Sequence, residues 1–151
     1  MSDAQSLKAL ARVRGLVRVP GDKSTSHRAL LISALANGDS TVEGLSPGED
    51  VRATARIVAQ LGAVVDEQGA LVHVRGPSEG LRPSASALDC GNSGTTMRVL
   101  AGLVSGVEGL HRLVGDASLS TRPMDRVAVP LSAMGASVEG VGERVTAPLS
   151  I

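Results

Sequence analysis

No Phe, Tyr or Trp occurs anywhere in this chain of 151 residues. Without an aromatic ring nothing can stack on a nucleobase, and 15 basic residues set against 15 acidic ones give no overall field to draw a polyanion. Both absences argue against a nucleic-acid role. The interior must be built from Leu, Val, Ile, Ala and Met, which bury less area per side chain than rings do. A single cysteine, Cys90, leaves no internal disulfide and fits a reducing compartment. It stands in a glycine turn, where a packed, unreactive thiol is the favoured reading over a reactive one. His27, His73 and His111 are scattered and no paired cysteine accompanies them, so no metal and no cofactor is expected. No run of apolar residues approaches a membrane span and the first residues carry no apolar signal core, so the expectation is a cytoplasmic protein without a membrane partner.

What the chain does have is a concentrated stretch from Val19 to Leu35, Val-Pro-Gly-Asp-Lys-Ser-Thr-Ser-His-Arg followed by an apolar helix pattern. Pro20-Gly21-Asp22 is turn chemistry, and the alternating run Val13 to Val19 before it reads as a strand. Ser24 or Ser26 is expected to cap the helix, which leaves its first free N–H groups beside Lys23 and Arg28. A helix start with two cations is an anion site, suited to phosphate or carboxylate. Lys23 could equally be a solvated turn lysine, Ser24 a plain cap and Arg28 a surface arginine; their shared location favours the anion role.

The construction recurs. Asp89-Cys-Gly-Asn-Ser-Gly-Thr-Thr-Met-Arg-Val-Leu runs from glycine turn to hydroxyls to arginine to apolar helix, aligning Arg98 with Arg28 and Met134-Gly-Ala with Leu61-Gly-Ala. Two tandem βαβαββ-like units follow, an α/β (α+β type) fold with helices packed on sheets. The pattern predicts helices over 26–36, 49–61, 94–104 and 124–134. Strands are predicted over 13–19, 40–43, 63–66, 70–74, 109–114, 136–139 and 143–147. Residues 1–11 read as a flexible N-terminus, 20–76 as the first unit, 77–86 as a linker and 87–151 as the second unit. Asn92, Gly94 and Thr95 open the second unit's helix; a glycine turn with a cap is their ordinary explanation. Lacking a side chain, Gly94 would let a small ligand approach the backbone. Arg122 precedes Pro123, expected to start the next helix. His27 is declined as a general base because no carboxylate orients it, and His73 and His111 read as surface or half-buried. Arg98 is expected on a helix face against Asp89. Glu49, Asp50, Asp125 and Arg126 read as helix-start charges with structural roles.

Pro20-Gly-Asp-Lys-Ser-Thr-Ser-His-Arg, Gly91-Asn-Ser-Gly-Thr-Thr-Met-Arg and Ser120-Thr-Arg-Pro-Met closely resemble the signatures of the EPSP synthase (3-phosphoshikimate 1-carboxyvinyltransferase) family, in order and at plausible spacing. The resemblance implies the inside-out barrel architecture of enolpyruvyl transferases, here incomplete. It implies transfer of enolpyruvyl from phosphoenolpyruvate to the 5-hydroxyl of shikimate 3-phosphate. Lys23 would touch both substrates and serve catalysis. Ser24 and Arg28 would hold shikimate 3-phosphate, with the arginine on its carboxylate. Asn92, Gly94, Thr95 and Arg122 would line the phosphoenolpyruvate site, where glyphosate would inhibit. The sibling enzymes acting on a UDP-sugar lack the pair seen here as Ser24 and Arg28. The chain resembles roughly the first third of such an enzyme. By the resemblance, the strand over 12–19 belongs to the other domain, and the acidic proton-transfer residues lie in a C-terminal portion beyond Ile151. The chain is therefore expected to be a substrate-binding fragment, inactive alone. A non-catalytic module for phosphate ligands and the UDP-sugar branch are the alternatives.

Overall fold

A computed structural model describes residues 14–151. The flexible N-terminus expected over 1–11, and positions 12 and 13, lie outside the described residues. Residues 14–20 form no strand and are exposed. A strand is defined by its ladder, and this segment is paired with no other described strand.

The first helix, α1, spans Lys23–Leu35 and is capped by Asp22 rather than by Ser24 or Ser26. Asp22 follows the Pro20-Gly21 turn in extended backbone, so its carboxylate accepts the Thr25 N–H at 2.7 Å. Ser26 already lies inside the helix, donating to the Asp22 carbonyl at 2.8 Å and accepting the Ser46 N–H at 2.9 Å. Gly21 has no room for a side chain, since a Cβ there would overlap the Gly44 carbonyl oxygen. Hydrogen bonds from Thr25 hold the Asp22 carboxyl below its ordinary 3.8. The stability it contributes is therefore present above about pH 3.8 and is lost as pH falls through the lower folded-state value. Asp22→Ala is expected to remove the cap and lower the urea midpoint at unchanged slope.

After α1 come β1 (Asp39–Glu43), α2 (Glu49–Gln60), β2 (Val64–Gln68) and β3 (Leu71–Arg75), close to the predicted spans. Glu49 and Asp50 favour the α2 start electrostatically, while Val51, Ala55 and Val58 turn inward and Arg52 and Arg56 face Glu49 across solvent. The second unit runs β4 (Leu88–Asp89), α3 (Gly94–Val104), β5 (Arg112–Val114), a 3₁₀ turn (Leu119–Thr121), α4 (Asp125–Ala133), β6 (Glu139–Val141) and β7 (Thr146–Ser150). The two sheets order as β1-β3-β2 and β4-β5-β7-β6, so β5, β7 and β6 repeat β1, β3 and β2. The second sheet adds β4, parallel to β5 and joined to it through α3. The chain is thus mixed α/β with open sheets, a full βαβαββ unit preceded by an αβαββ one.

Several predicted boundaries move. The strands expected at 136–139 and 143–147 shift about three residues onward, because burying Ala147 and Leu149 sets the β7 register. The strand expected over 109–114 begins only at Arg112, and α4 begins two residues after Pro123. His111 is buried rather than half-exposed. Its backbone pairs both ways with Ile151, at 2.8 and 3.0 Å, and its Nε2 reaches the Val107 carbonyl at 3.0 Å.

One apolar cluster joins both units. Leu30, Leu31, Ile57 and Leu61 continue into Leu88, Met97, Leu100, Leu113, Met124 and Leu149. The helix α3 packs on α1, α2 and α4, and the starts of α1, α2 and α3 converge. Among the described residues no helix is long and apolar enough to cross a membrane.

Candidate anion-binding site

At the α1 start, Lys23 points away from the core and pairs with the Asp50 carboxylate on α2; their side chains are 53% and 26% exposed. Asp50, read from sequence as structural, is thus part of the site. Ser24 and Arg28 are exposed beside Lys23, and the Arg28 guanidinium reaches only to the Thr25 hydroxyl at 3.5 Å. Among the described residues nothing else holds its planar fork, which suits an external carboxylate.

At the α3 start, Ser93 is the cap, accepting the Thr96 N–H at 3.1 Å. Gly94 lies directly beneath two guanidiniums: a Cβ built there would sit 2.7 Å from Arg98 Nη1 and 3.4 Å from Arg122 Nη1. The missing side chain therefore makes room for two cations over a helix N-terminus. Arg98 does not pair with Asp89. It donates to the Pro123 carbonyl at 3.0 Å, while the Asp89 carboxylate accepts the Gly91 N–H at 2.8 Å. Arg122 donates to Asn92 Oδ1 at 2.5 Å, and the Asn92 amide donates to Asp116 Oδ2 at 2.7 Å. Asp116 also accepts the Leu119 N–H at 2.7 Å. The Asn92 hydrogen bond, then that of Leu119, holds its carboxyl below the ordinary 3.8, so it stays ionised and keeps Asn92 oriented. Thr95 is exposed on the first turn of α3.

The two starts adjoin. The Thr96 hydroxyl lies 3.3 Å from the Asp50 carbonyl, so the residue paired with Lys23 also touches α3. The seven expected substrate contacts sit at two adjoining helix starts, Lys23, Ser24 and Arg28 on α1 and Asn92, Gly94, Thr95 and Arg122 at the start of α3. Sequence reasoning missed Asp50 and Asp116. A carboxylate at a helix start and an Asp in a Gly-Asp-Ala turn look ordinary, and only the fold brings them to Lys23 and Asn92. A groove of about 300 Å³ between α2 and the β2–β3 hairpin includes none of these residues. Cys90 is fully buried, and burial first, then the Asp89 charge, pushes its thiol up to about 12, which makes it inert. His27 is likewise sealed from solvent and cannot exchange protons with a ligand. Among the described residues no group of His, Cys, Asp or Glu is arranged to hold a metal ion.

The geometry therefore offers two adjoining cation-bearing helix starts, suited to two anionic groups. Residues 7–151 match the family model of EPSP synthase (3-phosphoshikimate 1-carboxyvinyltransferase). The 3-phosphoshikimate 1-carboxyvinyltransferase of Synechococcus sp. (strain WH7803) is 50% identical over 152 residues, covering 98% of this chain and 35% of that protein. That of Streptococcus equi subsp. equi (strain 4047) is 46% identical over 147 residues, covering 96% and 34%. A solved structure of EPSP synthase from Acinetobacter baumannii aligns with a TM-score of 0.86 at 44% identity, over 91% of this chain and 32% of that one. The chain spans about a third of the length of these relatives.

Proposed function

Because the chain belongs to the EPSP synthase (3-phosphoshikimate 1-carboxyvinyltransferase) family, we propose that it is a substrate-binding part of a cytoplasmic enzyme of that activity, in the shikimate pathway to aromatic amino acids. The reaction joins the 5-hydroxyl of shikimate 3-phosphate to C2 of phosphoenolpyruvate and then eliminates inorganic phosphate. A proton is added to the methylene carbon in the first step and removed in the second. The observation that carries this reading is that the helix start bearing Lys23 adjoins, through Asp50 and Thr96, the one where Arg98 and Arg122 lie over Gly94.

In this reading Lys23 lies between the substrates and offsets the phosphate charge that develops on addition. Ser24 and Arg28 hold shikimate 3-phosphate, the guanidinium on the carboxylate. Asn92, Gly94, Thr95 and Arg122 hold phosphoenolpyruvate, with Asn92 and Asp116 aiming Arg122. The acid and base for the methylene carbon come from the remainder of the enzyme, so the chain alone binds and does not turn over. Glyphosate competes at the phosphoenolpyruvate side; a full-length enzyme carrying this segment that stayed fully active at millimolar glyphosate would overturn that part.

The first test mixes the purified chain with both substrates and follows phosphorus NMR. Substrate signals that shift or broaden without growth of inorganic phosphate are the expected result. Phosphate growth would refute the assignment of acid–base groups to the remainder, and unchanged spectra would refute binding by this part alone. Gly94→Ala separates site from fold. The nearest atoms to the added methyl are the ends of Arg98 and Arg122, which can swing aside. Stability should hold or rise slightly, as alanine is the better helix former, while phosphoenolpyruvate affinity falls about tenfold, the loss of roughly one charge-assisted hydrogen bond. Melting curves and NMR titrations read the two effects separately.

A further inference from the structure

A buried polar chain beneath the site links all three helix starts. His27 on α1 is fully buried, with Nδ1 2.8 Å from the Thr54 hydroxyl on α2. Thr54 Oγ1 is 2.9 Å from Thr96 Oγ1 on α3, which is 2.7 Å from the hydroxyl of the capping Ser93. Both threonine hydroxyls also lie 3.3 Å from the carbonyl of Asp50, whose carboxylate holds Lys23. His27 Nε2 is buried and has no hydrogen-bond partner among the described residues.

Counting protons fixes the direction of the chain. Each hydroxyl has one proton to give and two lone pairs to receive. Thr96 gives to Ser93, so the proton in the Thr54–Thr96 hydrogen bond is the one Thr54 gives. Thr54 then receives from an Nδ1–H of His27, and Nε2 carries only a lone pair. The opposite tautomer would bury an Nε2–H donor without an acceptor, the costlier arrangement.

We infer that His27, as the neutral Nδ1–H tautomer, is a positioning residue that locks the α1 start bearing Lys23 to the α3 start bearing Gly94 through Thr54 and Thr96. It touches no substrate; it sets the spacing of the two cation-bearing starts. This rests on those starts forming one anion-binding face, but its test needs no substrate. Protonation would place a charge and an unanswered N–H at Nε2. Lys23 on α1 opposes that charge, Asp50 on α2 favours it, and the facing α3 residues Ser93 and Thr96 are uncharged. Burial first, then Lys23, holds the His27 pKa below its ordinary 6.5. The unfolded chain takes up a proton below about pH 6.5 where the folded chain does not, so stability falls as pH drops through that value and below.

The test uses the intact chain. Long-range nitrogen NMR should show the Nδ1–H tautomer of His27 at pH 7.5. His27→Leu and Thr54→Val, which break the chain from α1 and from α2, should speed hydrogen exchange of the Thr96 and Met97 amides about tenfold more than that of the Ser105 amide at the far end of α3. His27→Asn, whose amide can stand in for Nδ1–H, should restore the ratio and remove the loss of stability between pH 7 and 5 that the imidazole causes. An Nε2–H tautomer, uniform acceleration along α3 in whichever of the two breaking variants folds, or an asparagine variant no better than leucine would each overturn the inference.

Discussion

In a full-length enzyme carrying these residues, Lys23→Met is expected to slow phosphate release from phosphoenolpyruvate about 10²–10³-fold, the usual effect of deleting one preorganised charge at a developing anion. Methionine keeps the length and apolar stem of the side chain and removes the ammonium. The fold should barely respond. Lys23 is half exposed, its one ion pair is with Asp50, and a pair so open to solvent contributes at most about 1 kcal/mol. The rate loss should therefore come with a melting temperature within about 4 °C of the parent. A kcat within fivefold of the parent would remove Lys23 from the reaction and leave it a surface lysine. Lys23→Arg is the companion variant: it keeps the charge but not the compact ammonium, so an intermediate loss is expected.

Leu100→Ala should destabilise the chain by about 2–5 kcal/mol and lower its melting temperature by roughly 10 °C. Leu100 is fully buried on α3, the helix that packs on α1, α2 and α4, so the cavity opens where the two units share their interior. With no aromatic ring in the chain, no large neighbour can swing in to fill it. Leu110→Ala, at a leucine that is 73% exposed, should change stability by less than about 0.5 kcal/mol. If the two variants lost stability equally, the single shared core would be the wrong description.

Much of the fold was legible because its signals are local. The helix predicted over 94–104 is α3, Gly94–Val104, bounded by a glycine turn and a capping serine. The helix predicted over 49–61 differs from α2 by one residue, since apolar spacing and a following glycine mark both ends. The α1 cap was misjudged within one motif: three residues at alternate positions, Asp22, Ser24 and Ser26, are all good caps. The turn at Pro20-Gly21, held against Gly44, gave the role to Asp22. The last two strands were placed about three residues early: the turn between them runs over 142–145, and burial of Ala147 and Leu149 decides where β7 pairs.

By itself the sequence determined that this protein has two helix starts with glycine turns and cations close by, because capping, glycine turns and neighbouring charges act within a few residues of one another. It also carried the family, since three motifs in order are local patterns too. Tertiary structure alone decided what each of those residues touches. Lys23 meets Asp50 and His27 meets Thr54 across 27 positions, Asn92 meets Asp116 across 24, and Arg122 meets Asn92 across 30. Such pairings arise only when packing of one continuous apolar core brings the starts of α1, α2 and α3 to the same face, and no local preference of the chain encodes them.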